Sequence, residues 1–134
     1  MTQTKCYTYF RITGDFDPDA VTESLGLQPE KSWRIGDKRK GGGEYTFATW
    51  NFGYCEVYDS IVDEQMRKTI APLLPKVALL QEIRRKFDVN FYLEVVPVLA
   101  AEEEMPCLAP SLDVMRFCCD TQTEMDIDLT IESY

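Results

Sequence analysis

The sequence predicts a mixed α+β domain, and three observations support this prediction. Segments in which apolar and polar residues alternate, as strands require, occur at both ends and in the middle of the chain. Between them lie segments in which apolar residues recur at helical spacing. The chain has 134 residues, which suits one domain, 1–134, with a core large enough to fold without a metal or a disulfide.

The first strand and helix have the clearest signals. Residues 5–13 alternate as a strand does, and Gly14-Asp15 is expected to end it. Asp17 can accept hydrogen bonds from the free amides of a helix that starts at Pro18, where no amide hydrogen is needed. Gly26 suits the left-handed residue that closes a helix. These signals predict a strand, a short helix and a turn.

The next stretch is a basic loop followed by a long strand. Residues 29–40 are predicted to form a loop with a short extended segment around 33–35, and the glycines at 41–43 a flexible turn. Residues 44–57 are predicted to form the longest strand, central in its sheet because both of its faces are apolar. Its faces are Trp50, Phe52 and Tyr54 on one side, and Tyr45 and Phe47 on the other.

The second half of the chain begins with two helical segments. The first is predicted to start at 59–60 and to be broken at Pro72 and Pro75. The second covers residues 76–87 and ends in three basic residues, which complement the negative end of the helix dipole.

Two further strands and a third helix complete the predicted elements. A strand at 89–96 should finish near Pro97, because proline cannot donate to a strand ladder. Residues 110–111 open the third helix, and residues 125–132 alternate more regularly than any other segment. The helix residues expected to face inward are Leu112, Met115, Cys118 and Cys119.

The predicted order is therefore β-α-β-β-α-β-α-β. Its first six elements match a ferredoxin-like βαββαβ core, and the C-terminal αβ pair would extend the same sheet. We expect a mainly antiparallel sheet with the helices on one face and the other face partly open.

The residue types present exclude much chemistry. The chain has no histidine, so the usual Ser-His and Cys-His nucleophile pairs are impossible. Its five cysteines are not spaced as metal ligands, and we expect reduced, mostly buried thiols. No catalytic residue, metal site or cofactor is predicted, so a non-enzymatic protein is expected.

The net charge of −9 is unevenly distributed. Residues 101–134 hold nine acidic residues and one basic residue, Arg116, which gives this quarter a net charge of −8. This balance disfavours binding to nucleic acid or to anionic membranes and suits a basic protein partner. The N-terminal residues lack a basic segment followed by an apolar one, so we expect a cytoplasmic protein.

Three sets of residues are candidates for contact with a ligand or partner. A basic and aromatic set could stack on a ligand or hold an anion, although it could equally cover the edge of the core. An acidic set on the last strand could face a partner or simply be solvated. A third set of aromatic residues could form a surface on the open sheet face or pack under the basic loop or in a dimer. The basic and aromatic set is Trp33, Arg34, Lys38, Arg39 and Trp50. The acidic set is Asp126, Asp128 and Glu132. The third set is Tyr7 and Tyr9 with Trp50 and Tyr54.

Several segments together resemble one protein family. The order and spacing of the motifs at 10–14, 25–29 and 32–37, of Trp50 in its strand, and of Asp-Ile-Asp at 126–128 are similar to the bacterial "domain of unknown function 4279" family. The resemblance covers nearly the whole chain. It implies a small, stand-alone, cytoplasmic bacterial protein, and it supplies no activity or catalytic residues.

Two functional hypotheses follow. The first is a non-enzymatic protein-interaction or binding module, of which an immunity-type protein that blocks a basic toxin is one version. The alternative is a domain that senses a small molecule or anion through the region of Trp33 and Arg34. A dimer of two copies of the chain is also left open.

Overall fold

The computed structural model describes residues 4–57, 62–100 and 108–132, with only the backbone described at 57, 131 and 132. The predicted helix start at 59–60 and the acidic loop at 102–104 lie outside these residues.

The described part of the chain contains six strands and four α-helices. A 3-10 segment, Ala71–Lys76, joins the second and third helices at the two prolines that were predicted to break the helix. The elements are β1 (Lys5–Asp15), α1 (Pro18–Leu25), β2 (Lys31–Trp33), β3 (Ala48–Val57), α2 (Val62–Ile70), α3 (Val77–Lys86), β4 (Asp88–Ala100), α4 (Leu112–Thr121), β5 (Thr123–Ile127) and β6 (Thr130–Glu132).

One sheet contains all of these strands, in the order β2-β3-β1-β4-β5. The pairs β2–β3, β3–β1 and β1–β4 are antiparallel. The last two strands, β5 and β6, both pair with β4 in parallel, one after the other along its length. The structure is therefore a mixed α+β fold with a mainly antiparallel sheet, and its C-terminal strands extend that sheet as predicted.

The helices cover one face of the sheet. Phe10, Trp50 and Phe91 point from three neighbouring strands into a core that Leu25, from α1, helps to close. The other helices supply Met66, Ile70, Leu80, Ile83, Val114 and Phe117 to the same core. The opposite face of the sheet carries no helix among the described residues, so side chains on that face are available for other contacts.

The first β-α unit largely forms as predicted. The Asp17 carboxylate accepts from the Asp19 amide at 3.0 Å, and Gly26 closes α1 in the left-handed conformation with φ 66°. Strand β1 ends at Asp15, as predicted. Gly14 has φ 146° and lies so close to β4 that a Cβ atom there would be 2.1 Å from the Asp88 carbonyl oxygen. The strand can pass this point only because residue 14 is glycine.

Two predictions about the third strand are wrong. It begins at Ala48 rather than at residue 44, and the preceding residues belong to a separate hairpin. The pairing of β1 with β3 shifts register between Thr8 and Phe10, opposite Gly53, which has φ 78°. This bulge reverses the facing of the residues after it. Trp50 and Phe52 therefore face the helices, whereas Tyr54 reaches the open face.

The C-terminal part differs from its prediction in three ways. Strand β4 continues through Pro97 to Ala100. Pro97 lies where the strand beside β4 changes from β5 to β6, so no backbone amide donor is needed at that position. The segment predicted as one strand at 125–132 forms two strands instead, β5 and β6. In α4, Val114 and Phe117 face inward, and of the four residues predicted to do so only Cys118 packs against the core, whereas Leu112, Met115 and Cys119 are exposed.

Candidate functional site

The strand register gathers polar and aromatic side chains from five strands on the open face. Directly paired residues in a sheet point to the same side, so the register defines rows of neighbours across the strands. In one row, Tyr9 pairs with Glu94, and Glu94 pairs with Asp126. The adjacent row runs from β2 to β5 through Lys31, Asn51, Arg11, Tyr92 and Glu124.

Three tyrosines form the aromatic centre of this face. The rings of Tyr7 and Tyr9 are stacked with centroids 6.4 Å apart, and the Tyr54 ring lies 5.5 Å from Tyr7 and 6.5 Å from Tyr9. They line an open groove of about 640 Å³ that also reaches Lys31 and Asn51. The three tyrosines thus lie together on the open face, which is one of the arrangements that the sequence left open.

The bulge that presents Tyr54 is held from both sides. On the open face, the Glu30 carboxylate accepts from the amides of Gly53 at 2.9 Å and Tyr54 at 3.2 Å. On the helix side, the Thr69 hydroxyl donates to the Gly53 carbonyl at 2.8 Å. The Tyr54 hydroxyl in turn donates to Glu56 at 3.0 Å. Because both the backbone and the hydroxyl are fixed, the tyrosine surface is preorganised.

Glu94 is a buried carboxyl group within the open face. It is 4% exposed, and its nearest cation is Arg11, whose Nε lies 3.7 Å from its Oε1. The pKa of Glu94 is raised to about 7, mainly by burial and also by its hydrogen bond to Asp126 and by the charges of Asp126 and Asp128. Arg11 opposes this increase without cancelling it. Glu94 is therefore protonated in a substantial fraction of molecules near neutral pH.

The Glu94 carboxyl group should make folding stability depend on pH. The Glu94 pKa is raised from 4.5 to about 7 on folding, so the folded state holds the proton more tightly. Its stabilisation is complete below pH 4.5 and is lost as the pH rises through 7. Relative to Glu94→Gln, the wild type should lose roughly 2–3 kcal/mol of unfolding free energy between pH 4 and 8. Urea titrations at each pH measure this difference, and a carboxyl NMR titration of Glu94 with a midpoint near 4.5 would contradict it.

The basic loop and its glycine turn form a hairpin, and the extended segment predicted around 33–35 lies instead at Lys31–Trp33. The amide of Gly36 donates to the Tyr45 carbonyl, and the amide of Tyr45 donates to the Asp37 carbonyl, each at 2.9 Å. At the tip, the Arg39 amide donates to the Gly43 carbonyl at 3.0 Å. The glycines at 42 and 43 have φ values of 99° and 79°, which suit this tight reversal.

Internal contacts use much of the predicted basic and aromatic set. The Trp33 ring stacks on the Tyr45 ring, with the two centroids 4.4 Å apart. The Arg39 guanidinium lies 5.4 Å from the centroid of the same Tyr45 ring. Arg34 pairs with Asp17 at 2.8 Å and also with Asp19. Lys38 is exposed in the hairpin. Two carboxylates at the start of α1 thus already neutralise Arg34, which opposes binding of another anion there.

Trp50 does not belong to this set. Its exposure is 0%, and its indole nitrogen donates to the Thr22 hydroxyl of α1 at 3.0 Å. Its ring stacks on Phe52 at 5.4 Å within the core. The predicted contact of Trp50 with a ligand or partner is therefore wrong, because the bulge at Gly53 leaves Trp50 on the helix side of the sheet.

The acidic set lies at the far edge of the open face. Asp126 and Asp128 are exposed, whereas the side chain of Glu132 lies outside the described part of the structure. The hairpin that carries Arg34, Lys38 and Arg39 follows β2, on the other side of the sheet from β5, because β2 and β5 are the first and last strands in the sheet order.

Metal chemistry finds no support among the described residues, in which no group of three or more potential ligands comes together. The described cysteines are free thiols. Burial raises the pKa of Cys6 and of Cys118 to about 11, so neither is an activated nucleophile. Cys119 is exposed, contrary to its predicted inward orientation.

The comparisons with known proteins identify the family. A family model described as a domain of unknown function, DUF4279, matches residues 4–132. The chain belongs to this family. Comparison with curated proteins and with solved structures finds no match. None of the helices in the described part of this DUF4279 chain has the length and apolar character needed to cross a membrane.

Several residues of the candidate site were not singled out from the sequence, among them Arg11, Asn51, Tyr92 and Glu94. For Arg11, Tyr92 and Glu94, the available signal was alternation, since each lies on the strand face opposite the core residues Phe10, Phe91 and Leu93. What the sequence could not supply is the register that makes Tyr9, Glu94 and Asp126 neighbours, because these residues lie on three strands far apart in the chain.

Proposed function

We propose that this protein is a non-enzymatic protein-interaction module of the bacterial cytoplasm, and that its open sheet face is the interaction surface. The observation that carries the proposal is the cluster of Tyr7, Tyr9 and Tyr54 on a sheet face that no helix covers among the described residues. Tyrosine and arginine are enriched in protein interfaces, because their rigid, amphipathic side chains bury large areas at low entropic cost.

The shape of the site also supports a protein partner. The groove of about 640 Å³ is open and is continuous with a broad flat surface. An enzyme site or small-ligand site is more often concave, with a few polar groups converging on one point. The two groups closest to such convergence, Glu94 and Asp126, are adjacent carboxyls at the edge of the tyrosine surface.

At the level of topology, we propose that β1 to β4 with their connecting helices form a ferredoxin-like core. The order β2-β3-β1-β4 and the antiparallel pairing of all neighbouring strands support this assignment. The helix α4 and the strands β5 and β6 are then additions to one side of that core. They bring the acidic residues to the edge of the open face.

An acidic edge beside an aromatic centre favours a basic partner. Glu124 and Asp126 on β5 and Asp128 directly after it are exposed, and interfaces are steered by such complementary charges. Inhibition of a basic toxin by an immunity-type protein is one form of this proposal. The alternative, anion sensing near Trp33 and Arg34, has less support because Arg34 is already paired with Asp17 and Asp19.

Photo-crosslinking in cells of the source organism tests the proposal. A benzophenone amino acid is placed at Tyr54, which is 51% exposed on the open face, or at the matched control Leu74, which is 48% exposed beside the helices. We expect Tyr54 to form a crosslink to a specific protein and Leu74 to form none. Crosslinking from Leu74 alone, or from neither position, would show that the open face is not the interface.

A further inference from the structure

We propose that Glu94 is a pH-sensitive latch, which holds the end of β5 and the two residues after it against β4 when it is protonated and releases them when it is ionised. The latched segment comprises residues 126–129, and it lies beside the part of β4 that contains Glu94 and Val95. This inference goes beyond the proposed function, because it concerns a movement of the fold itself, whatever partner the protein has.

The strand register places Glu94 directly beside an acidic residue of β5. Glu94 pairs with Asp126, and the Asp128 amide donates to the carbonyl oxygen of Val95 at 2.9 Å. Glu94 is 4% exposed, although it lies on the sheet face that carries no helix among the described residues. A buried carboxyl group thus lies where two strands join, so the cost of charging it acts directly on their pairing.

The charged and titratable groups around Glu94 are mostly acidic. From the other side of the joint, Asp126 and Asp128 lie close enough for their charges to act on Glu94. From β1, Tyr9 pairs with Glu94 and Arg11 supplies a cation. When all three carboxyl groups are ionised, three negative charges face one guanidinium group. Repulsion between Glu94 and Asp126 then opposes the pairing of their strands.

Arg11 compensates the charge of Glu94 only in part. Its Nε lies 3.7 Å from Oε1 of Glu94, which is too long for a hydrogen bond. Both of these atoms are buried, and neither has a hydrogen-bond partner among the described residues. A buried ion pair without hydrogen bonds recovers little of the free energy needed to remove its charges from water. The closed sheet therefore favours protonated Glu94.

The latched segment has few other contacts to hold it. Strand β5 is last in the sheet order and pairs only with β4 among the described strands. Its first residue, Thr123, is 7% exposed, whereas Ile127 and Leu129 are 47% and 48% exposed. Strand β6 resumes the pairing with β4 at Thr130. Because segments with few buried apolar contacts open most easily, we expect opening at residues 126–129 rather than at the start of β5.

The direction of the pH response follows from the two states of the latch. In the closed sheet the pKa of Glu94 is raised from 4.5 to about 7, and opening exposes the carboxyl group and lowers its pKa again. The proton therefore stabilises the closed state fully below pH 4.5, and this stabilisation is lost as the pH rises through 7. If opening restores the ordinary pKa, the equilibrium constant for opening rises by about seventyfold between pH 5 and 8.

Amide hydrogen exchange of the purified full chain measures this opening. The exchange rates are followed by NMR and corrected for the intrinsic rate at each pH. The reporter is the amide of Asp128, and the reference amides are those of Phe10 and Ile12 in β1, the middle strand of the sheet order. We expect the opening constant at Asp128 to exceed that of β1 at every pH and to rise by at least about tenfold between pH 5 and 8.

Two glutamine variants separate the latch from the other carboxyl groups of β5. Glu94→Gln keeps the shape of the side chain but cannot be ionised, so the pH response at Asp128 should disappear. Glu124→Gln makes the same chemical change at an exposed residue that pairs with Tyr92, and it should respond as the wild type does. If Glu94→Gln does not fold, Asp126→Asn replaces it. Removal of the neighbouring charge should reduce the rise at Asp128, and an undiminished rise would overturn the latch.

Three results with the first set of proteins would also overturn the latch. These are an opening constant at Asp128 that is the same at pH 5 and 8, a Glu94→Gln variant that responds like the wild type, or equal opening constants at Asp128 and in β1. The last result would show that the sheet responds to pH only by unfolding as a whole. Crosslinking from Tyr54 tests the proposed function separately, so failure of the latch leaves that proposal unaffected.

Discussion

Gly14→Ala is expected to destabilise the domain by about 3–5 kcal/mol, a large fraction of the 5–15 kcal/mol typical of whole domains. Two costs combine at this position. The backbone has φ 146°, which L residues rarely adopt, and the added Cβ would lie 2.1 Å from the Asp88 carbonyl oxygen. Because that oxygen belongs to the backbone of β4, relief requires the two strands to separate.

The matched control is Gly36→Ala. Gly36 has φ 91°, but no atom lies within 4 Å of the Cβ that would be added. Only the cost of backbone strain applies, so we expect a loss of about 1 kcal/mol. Urea unfolding of both variants measures the two costs. Equal losses for Gly14→Ala and Gly36→Ala would show that the close approach of β1 to β4 is not what requires glycine at residue 14.

Trp50→Ala is expected to lower the free energy of unfolding by about 3–5 kcal/mol, because it removes a large, fully buried ring from the core. It also leaves the Thr22 hydroxyl without the indole N–H that donates to it at 3.0 Å. Trp50→Phe keeps much of the apolar volume and loses the donor, so we expect a smaller loss of about 1–2 kcal/mol.

The second tryptophan provides the comparison. Trp33 is only half-buried and stacks on Tyr45 in the hairpin, so Trp33→Ala should cost about 1–2 kcal/mol or less. The four proteins can be compared by chemical denaturation monitored by circular dichroism, which does not depend on either indole. A Trp33→Ala variant that is less stable than Trp50→Ala would contradict the assignment of Trp50 to the core and of Trp33 to the surface.

Local signals in the sequence predicted the regular part of the fold. Asp17, Pro18 and Gly26 have backbone requirements that only a few residue types satisfy, and the helix they bound formed as predicted. The mixed α+β class followed from the same kind of evidence, because alternation and helical spacing are properties of neighbouring residues. The extension of the sheet by the C-terminal strands was predicted on the same basis.

The errors occurred where a contact distant in sequence decides the local structure. A glycine in a strand can mark a bulge, but the shift at Gly53 depends on Glu30 and Thr69, which hold its backbone. Missing that shift placed Trp50 and Tyr54 on the same face. Similarly, Pro97 looked like a strand end, because the change of neighbour from β5 to β6 that accommodates it lies some thirty residues later in the chain.

The candidate site was predicted in parts. The sequence identified Tyr7, Tyr9, the basic loop and the acidic strand, which are defined by composition and alternation. It did not predict that Arg34 pairs with Asp17 and Asp19, or that Tyr9, Glu94 and Asp126 form one row. These relations follow from the strand order, which brings distant segments together and which local patterns do not specify.

Hydroxyl-radical footprinting tests most directly the claim that the open face contacts protein. The rate of Tyr54 oxidation is compared between dilute purified protein and the same protein added to lysate of the source organism. Met115 is the control, because it is 43% exposed on α4 on the helix side. We predict that Tyr54 becomes protected while Met115 reacts at the same relative rate. Protection of Met115 with an unchanged rate at Tyr54 would contradict the assignment of the interface to the open face.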